Sequence, residues 1–317
     1  MFVAVLSDFG YEDPYVGIMK GVMLSEAPDL RVIDLGHAVR PQCISSAAYC
    51  LYSAWDYLPS GTTLLSVVDP GVGSEREELL VEVSGRTLVT PDNGTVSLLQ
   101  RMFGSLHAYR ASATVRAELR DRAFFLSSTF DGRDLFSPLA ARMASEGISS
   151  VRGEAAQPVL LPELSEPPAL REGSSADSGA QGSGEWRELV GTVMHIDRFG
   201  NYVTNIHYSD IRRREGIPAN APSSADAERF YDEHSSLAFA SRETSGAASA
   251  EPSGETSEVA ETRTLITRGI RRFFGEVAVG ETLAYWGSVG FLELAVRNGN
   301  CAARYGFDIG DEVRLTR

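Results

Sequence analysis

The stretch LLSVVDPGVGSER, residues 64–76, decides the fold of the first half of the chain. Residues 64–68 form an apolar run that predicts a buried strand, and Asp69, followed by proline and glycine, ends it with a carboxylate at the strand's carboxyl end. In open α/β sheets, ligands bind at that edge. Arg76 follows across a glycine-rich loop, and its cation is expected to pair with Asp69 and hold it ionised. A plain surface ion pair at a strand end is the alternative.

Composition limits the kinds of protein that this chain can be. Its 317 residues are too many for one compact core of ordinary size, so two domains are expected. The net charge of −14 disfavours nucleic-acid binding. Three cysteines without CxxC spacing argue against a disulfide framework and a structural zinc site. Neither a signal peptide nor an apolar run of about 18 residues is evident, so we expect a cytoplasmic protein without membrane spans.

The segment 2–68 predicts a strand, helix, strand, helix, strand order, because short apolar runs alternate with residues at helical spacing. This order calls for an α/β domain with a central, mainly parallel sheet and helices on its faces. Asp8 then stands at the carboxyl end of the first strand, at the same edge as Asp69. It is either the N-cap of the following helix or a carboxylate that accepts the hydroxyls of a ribose.

Composition also divides the chain into domains. The N-terminal α/β domain is predicted over residues 1–153, although 103–127 shows no regular pattern, and a linker rich in Pro, Ser, Gly and Glu follows over 154–185. Residues 186–317 contain short strands with turn signals, which favours a small β-barrel. A second low-complexity block at about 210–261 is predicted to be an insertion in a surface loop of that barrel.

Six motifs follow one another along the chain: VLSDFG (5–10), VVDPGVGSER (67–76), PDNG (91–94), STFDGRD (128–134), HIDRFGNYVTNI (195–206) and GSVGFLELAVRNGNCA (287–302). Together they resemble the S-adenosylmethionine hydrolases (adenosine-forming), also called hydroxide adenosyltransferases, relatives of fluorinase and chlorinase. The resemblance implies an N-terminal α/β domain, a C-terminal β-barrel, and a homotrimer with ligand sites between neighbouring subunits. It also implies attack of a water-derived hydroxide on C5′ of S-adenosyl-L-methionine, which releases adenosine and L-methionine without a metal or further cofactor.

The resemblance implies roles for residues of the first domain. Asp8 matches the ribose-binding aspartate, Asp69 the carboxylate that orients the attacking water, and Arg76 the arginine that holds it. Phe130 is expected to contact the substrate. The Asp69 carboxylate would repel a halide, and Gly132 stands where fluorinase has a serine near its halide, so hydroxide is the expected nucleophile.

Four residues of the second domain match substrate contacts of the family. Asp197 and Asn201 match residues that contact the methionine amine and the adenine edge; a carboxylate suits an ammonium, and an amide can read adenine. Ser288 and the backbone at Val289 match the segment that receives the methionine carboxylate. A plain turn residue is the alternative for Asn201, since it follows a glycine.

One position departs from the family pattern. The hydrolases read STFHGRD, whereas this chain has Asp131 in place of the histidine, so the usual general acid/base near neutral pH is absent from the motif. Asp131 is expected to pair with Arg76 or to share a proton with Asp69, which leaves a slower but working water site. The alternatives are another nucleophile and a non-catalytic protein that binds S-adenosylmethionine or adenosine. None of the five histidines of the chain stands at the position of the family histidine, and all five are expected to be surface or structural residues.

Overall fold

The computed structural model of the protein consists of two compact units. The residues that it describes are 1–122, 129–171, 188–214, 236–240 and 263–316. The first unit is Met1–Glu166 and the second is Pro167–Arg317. The predicted linker from 172 onward, and the predicted insertion over 215–235 and from 241 onward, lie outside the described residues. Among the described helices, none combines the length and apolar character that a membrane span needs.

The first unit is built on a sheet of seven described strands. They are β1 (Phe2–Ser7), β2 (Arg31–Gly36), β3 (Thr63–Val67), β4 (Glu78–Val83), β5 (Arg86–Pro91), β6 (His107–Ala111) and β7 (Arg152–Ala155). Their order across the sheet is β2-β1-β3-β5-β4-β6-β7. Parallel pairing joins β2 to β1, β1 to β3 and β3 to β5. Antiparallel pairing then adds β4, β6 and β7 to the sheet. The predicted α/β class is confirmed, with the parallel strands forming the side that carries Asp8 and Asp69.

Helices cover both faces of this sheet. They are α1 (Tyr15–Glu26), α2 (Ile44–Trp55), α3 (Ser97–Phe103), α4 (Ala113–Arg122), a π-helix (Gly132–Phe136), α5 (Ser137–Glu146), a 3-10 helix (Ile148–Ser150) and α6 (Pro162–Ser165). Successive side chains of a strand point to opposite faces. Val3 and Val5 of β1 therefore pack with α1 and α5, whereas Ala4 and Leu6 pack with α2. Because β1 and β3 are buried on both faces, a ligand reaches them at their carboxyl ends.

The segment 103–122 is more regular than its sequence predicts, since it contains β6 and α4. Residues 123–127, the rest of the segment without a pattern, lie outside the described residues. Strand β6 has five residues, and α4 buries Val115 and Leu119 beneath charged side chains. A short strand and a charged helix carry too few apolar residues for periodicity to reveal them.

The first part of the predicted linker is folded against the first unit. Residues 154–166 include the end of β7 and all of α6. The backbone N–H groups of Val159 and Leu161 donate to side-chain oxygens of this unit at 2.8 and 2.7 Å. Leu164 is fully buried. Two side-chain acceptors and one buried leucine thus order a segment whose composition alone predicts a linker.

The second unit contains a nearly closed barrel of nine described strands. They are β8 (Ala169–Arg171), β9 (Glu188–Ile196), β10 (Tyr202–His207), β11 (Ser236–Ala240), β12 (Arg263–Arg268), β13 (Ile270–Arg271), β14 (Thr282–Trp286), β15 (Phe291–Val296) and β16 (Glu312–Thr316). Their order is β12-β11-β16-β9-β10-β15-β14-β13, and β8 pairs with β9. The end strands β12 and β13 are consecutive in the chain, so the sheet curls back on itself. The predicted small β-barrel is confirmed.

Short helices and the borders of the predicted insertion complete the second unit. The helices are α7 (Tyr208–Arg214), a 3-10 helix (Phe274–Glu276) and α8 (Cys301–Tyr305). Residues 210–214 belong to α7, and β11 lies between β12 and β16, although both segments fall within the predicted insertion. The buried Asp210 carboxylate accepts the His207 N–H at 2.9 Å. Averaging composition over the whole block hides these short ordered pieces.

Candidate active site

Asp69 lies two residues beyond β3, at the carboxyl edge of the parallel strands. Arg76 binds it through two nitrogens: Nε donates to Oδ1 at 2.9 Å, and Nη2 donates to Oδ2. In the loop between them, Ser74 Oγ donates to Gly71 O at 2.6 Å and accepts the Arg76 N–H at 3.2 Å. The Asp69 and Arg76 side chains are 6% and 10% exposed. The predicted pair is therefore a largely buried, two-point ion pair, and the alternative of a surface contact is wrong.

A second carboxylate shares the same guanidinium. Arg76 Nη2 also donates to Asp131 Oδ2 at 2.7 Å, across 55 positions of sequence. Asp131 directly precedes the π-helix, a rare helix type that recurs at functional sites. The ring of Phe136 in that helix lies with its centroid 4.9 Å from Arg76 Cζ, which adds a cation–π contact. Of the two arrangements expected for Asp131, the structure shows the pairing with Arg76.

Asp69 and Asp131 keep the guanidinium of Arg76 positively charged. Burial disfavours the charged guanidinium, but the hydrogen bonds and charges of Asp69 and Asp131 outweigh burial and raise the pKa of Arg76. Two carboxylates share one cation, so the cluster is net negative when both acids are ionised. Such a cluster repels halide and accepts hydrogen bonds from water.

The cluster borders a cavity of about 500 Å³ in the first unit. The lining residues are Phe9, Tyr15, Val67, Asp69, Val72, Thr129, Phe130, Asp131, Gly132 and Arg133. Three of the lining rings contact one another, and the centroid of Phe130 lies 5.9 Å from that of Phe9 and 5.3 Å from that of Tyr15. A cavity of this size that combines an aromatic wall with a few charged groups fits a small organic ligand.

Gly132 keeps the wall of this cavity closely packed. A Cβ atom at this position would lie 3.1 Å from Phe130 Cε2 and 3.3 Å from Met19 Sδ. A serine here would therefore displace the Phe130 ring or the methionine sulfur. The glycine that this chain has in place of the fluorinase serine therefore has a packing reason.

Asp8 lies one residue beyond β1, at the same edge as Asp69, as the sequence predicts. Its half-buried side chain accepts the Gln42 N–H on Oδ2 at 2.7 Å. Gln42 has a φ of 62°, a left-handed conformation that is uncommon for a residue other than glycine. Because α1 begins at Tyr15 with Pro14 as its N-cap, the alternative of Asp8 as the helix cap is wrong.

In the second unit, Asp197 and Asn201 form a tight turn between β9 and β10. Asp197 Oδ1 accepts the backbone N–H groups of Phe199 and Asn201, each at 2.8 Å. Its Oδ2 accepts the Asn201 Nδ2 group, also at 2.8 Å. The structure thus shows Asn201 as a turn residue, and its contact with adenine stays a prediction.

Ser288 and Val289 occupy the turn that joins β14 to β15. The Gly290 N–H donates to Gly287 O at 2.9 Å and closes the turn. His207 lies against it, with Nε2 3.2 Å from Val289 O. The segment predicted to receive a carboxylate is therefore a defined turn that a neighbouring imidazole supports.

Sequence reasoning missed several residues at these sites. Phe9 and Tyr15 line the cavity, but the sequence pattern indicates no role for Phe9 and places Tyr15 only on a helix face. Glu293 in β15 is a buried acid; burial raises its pKa, and the charge of Asp197 adds to this effect. The available signals were an aromatic residue next to a strand-end acid, and a single acid within the apolar run FLELAV.

The fold and the site define a protein with an α/β unit, a β-barrel unit, and a carboxylate–arginine site at the carboxyl edge of parallel strands. Models of the SAM hydroxide adenosyltransferase N-terminal domain and C-terminal domain match residues 3–152 and 241–314. The chain belongs to the SAM hydroxide adenosyltransferase family, and the resemblance inferred from the six motifs is confirmed.

Individual relatives match almost the whole chain. The (R)-S-adenosyl-L-methionine hydrolase of Thermus thermophilus is 33% identical over 99% of this chain and 98% of its own length. A protein of the same name from Salinispora tropica is 29% identical over 99% of this chain and 97% of its own length. The crystal structure of an uncharacterized conserved protein from Thermotoga maritima has a TM-score of 0.69 at 24% identity, and the match covers 99% of this chain and 100% of that one. This last similarity supports the fold alone.

Proposed function

We propose that this protein hydrolyses S-adenosyl-L-methionine to adenosine and L-methionine. A water oxygen attacks C5′, the C5′–S bond breaks with its electron pair on sulfur, and the water proton is lost. Methionine leaves as a neutral thioether, so its departure needs no general acid. The observation that carries the proposal is the cluster of Asp69, Arg76 and Asp131 at the cavity wall, in a chain whose relatives of equal length are named (R)-S-adenosyl-L-methionine hydrolase.

Asp69 is the proposed acceptor for a hydrogen of the attacking water. A carboxylate has about four lone-pair sites, so Asp69 retains acceptor capacity beyond its two bonds with Arg76. Arg76 holds Asp69 in place, and Asp131 on the same guanidinium supplies a second acceptor for the departing proton. Orientation is the main contribution of this site, since placing two reactants correctly is worth up to about 7–11 kcal/mol.

Further substrate contacts are proposed from the family pattern. The residues are Asp8 and Phe130 in the first unit and Asp197, Asn201, Ser288 and Val289 in the second. Asp8 presents a strand-end carboxylate for the ribose hydroxyls, and Phe130 presents a ring in the cavity wall. The homotrimer, the cytoplasmic location and the absence of a metal or cofactor requirement stay predictions. Sedimentation velocity tests the first, and assay after treatment with a chelator tests the last.

Incubation of the purified protein with S-adenosyl-L-methionine, followed by chromatography, tests the reaction. We expect adenosine and methionine to accumulate in equal amounts. Asp69→Asn, which keeps the size of the side chain and removes its charge, should lower the rate by about 100-fold. If the wild-type protein produces no more adenosine than a protein-free sample, the proposed hydrolysis is wrong.

A second candidate function is non-catalytic binding of S-adenosyl-L-methionine or adenosine. The observation that favours it is Asp131, which binds Arg76 at the position where the hydrolases carry histidine. Calorimetric titration, with analysis of the ligand after the experiment, separates the two functions. Heat of binding with S-adenosyl-L-methionine recovered intact selects the binding protein, whereas recovery of adenosine selects the hydrolase.

A further inference from the structure

A buried histidine outside the catalytic cluster connects the ends of β1 and β2. His37 Nδ1 lies 2.7 Å from Ser7 Oγ, and His37 Nε2 lies 3.1 Å from Asp34 Oδ1. Lys20, the single lysine of the chain, donates to Asp34 Oδ2 at 2.7 Å. The ring of Tyr11 covers the imidazole edge to face at 5.1 Å between centroids. Ser7 and His37 are 0% and 1% exposed.

The partners of His37 determine its tautomer. Nε2 faces a carboxylate, which only accepts hydrogen bonds when ionised, so Nε2 carries the ring proton. Burial lowers the pKa of His37 and outweighs the opposing effect of Asp34, so the imidazole is neutral near pH 7. Nδ1 is then bare and accepts the Ser7 hydroxyl proton. The resulting order of donation is Ser7 to His37 to Asp34, and Lys20 supports the carboxylate.

Serine, histidine and aspartate in this order also occur in nucleophilic hydrolases, where the serine attacks a substrate. Here the serine is fully buried, and its hydroxyl is directed at the histidine inside the sheet edge. A nucleophile must reach a bound substrate, and this hydroxyl is enclosed. The arrangement is therefore suited to holding the backbone and not to covalent catalysis.

The segment that His37 holds contains Asp8 and Phe9. The Gly10 N–H donates to the His37 carbonyl at 2.7 Å, and the Val39 N–H donates to the Ser7 carbonyl at 3.4 Å. With the bond from the Ser7 hydroxyl, three hydrogen bonds flank the two residues on both sides. The Asp8 carboxylate also accepts a hydrogen bond from the N–H of Gln42, whose backbone is left-handed. The loops after β1 and β2 are thus joined around the candidate ribose carboxylate.

We propose that His37 is a positioning residue for substrate binding, which acts through Ser7 to fix Asp8 for the ribose and Phe9 in the cavity wall. The proposal rests on the proposed function, because Asp8 is the ribose contact of that function. Asp8 would hold the ribose equally in the ground state and the transition state. Loss of the Ser7–His37 bond should therefore raise KM for S-adenosyl-L-methionine while kcat stays nearly unchanged.

Two substitutions of His37 separate its two hydrogen bonds. His37→Asn places an amide oxygen near the position of Nδ1 and keeps an acceptor for Ser7, whereas His37→Gln places an amide nitrogen near Nε2 and keeps a donor for Asp34. We expect KM to rise about tenfold in His37→Gln and less than about threefold in His37→Asn. Ser7→Ala, the mildest change, should match His37→Gln. The double variant Ser7→Ala/His37→Gln should be no worse than either single variant.

Thr63→Val is the matched control. Thr63 Oγ1 lies 2.9 Å from Thr87 Oγ1 at the opposite end of β3 from Asp69, so the variant removes a buried hydroxyl bond from the same sheet. It should lower the thermal stability as Ser7→Ala does and leave KM at the wild-type value. Equal KM changes in Thr63→Val and Ser7→Ala would show a purely structural role and overturn the proposal. Equal KM in His37→Asn and His37→Gln would overturn it as well.

Calorimetric Kd values for adenosine provide a measurement that does not depend on turnover. The same ranking of variants is expected, with weaker adenosine binding in Ser7→Ala and His37→Gln. If wild-type protein forms no adenosine from S-adenosyl-L-methionine but the Kd ranking holds, the hydrolysis is wrong and the positioning role stands. If adenosine forms while KM and Kd are unchanged in Ser7→Ala, the positioning role is wrong and the hydrolysis stands.

Discussion

Asp69 and Asp197 are both motif aspartates that follow a strand, but their hydrogen-bond partners differ. Asp69 binds a guanidinium seven positions away, and that guanidinium also binds Asp131, which lies far away in the sequence and directly precedes the π-helix. Asp197 binds two backbone N–H groups and the Asn201 amide, all within four positions. The first acid is part of a long-range charge cluster, whereas the second is part of a local turn.

The difference shows when an aspartate in a sequence motif is evidence for a catalytic role. An acid that bonds to its own turn is explained by turn formation, and a ligand must compete with or add to those bonds. Asp69 is bound by a buried guanidinium beside a cavity, and turn formation does not explain that contact. The first unit therefore carries the stronger evidence for chemistry, and the contribution of the second has to be tested separately.

Removal of Arg76 should have the largest effect, because it breaks the long-range cluster. Arg76→Met leaves two carboxylates side by side in a partly buried place, which should cost about 3 kcal/mol of unfolding free energy. Adenosine formation should fall by at least about 100-fold, since Asp69 and Asp131 then repel each other. Urea unfolding and the product assay measure the two effects.

Arg122→Met is the control for that substitution. Arg122 is 54% exposed and pairs with Glu26 at 3.0 Å, and Arg142 also binds that carboxylate at 2.5 Å. The loss of Arg122 should cost less than about 1 kcal/mol and leave adenosine formation unchanged. If Arg76→Met behaves like Arg122→Met, the contrast between the charge cluster and the turn is wrong.

The sequence predicts part of this contrast and misses the rest for physical reasons. The strand before Asp69 and the short spacing to Arg76 are local features, so pattern and charge are enough to predict the pair. The contact of Asp131 with Arg76 spans the domain, and the sequence is equally compatible with Asp131 sharing a proton with Asp69. The bonds between His37 and Ser7 join two loops through buried polar atoms, and such contacts leave no periodic signal in a sequence.

The same argument applies to the fold. The apolar strands β1 to β3 and the barrel strands β9, β10 and β15 are long or regular enough for their patterns to predict them. The charged helix α4 and the folded residues 154–166 are held by tertiary contacts, among them the bond from Leu161 N–H to Ser97 Oγ at 2.7 Å. Their composition describes the exposed face and not the contact that orders them.

Asp131→His is expected to have the second largest effect. It introduces the proton-transfer group that the family motif carries, so kcat should rise by about tenfold. The pH profile should gain a limb near the ordinary histidine pKa of about 6.5. Asp131→Asn is the control, since it removes the charge without adding a base. A lower rate in Asp131→His than in Asp131→Asn would show that the second carboxylate, and not a missing base, sets the rate.

Asn201→Ala tests the local side of the comparison and should have a smaller effect. The variant removes the bond from Nδ2 to Asp197, which should cost about 1 kcal/mol and lower Tm by about 3 °C. Asp311→Ala, which removes the acceptor for the Asp308 N–H at 2.7 Å in another turn of the same unit, is the control. If only turn formation matters, both variants should keep the wild-type KM for S-adenosyl-L-methionine. A KM that rises in Asn201→Ala alone would assign Asn201 to the substrate.

Glu293 provides the smallest and most specific test, because it is a buried acid that the Tyr285 hydroxyl binds at 2.5 Å in place of a cation. Burial raises the pKa of Glu293 and the charge of Asp197 adds to this, so the folded state binds the proton more tightly than the unfolded state. The stabilisation from the protonated acid is complete below the ordinary glutamate pKa of about 4.3 and is lost as the pH rises through the raised value. Glu293→Gln should remove this dependence, so the Tm difference between variant and wild type should shift in favour of the variant from pH 4 to pH 8. A pH-independent difference would mean that Glu293 binds its proton equally in the folded and unfolded states, and the contrast between an acid that a guanidinium binds and an acid that a hydroxyl binds would lose its physical basis.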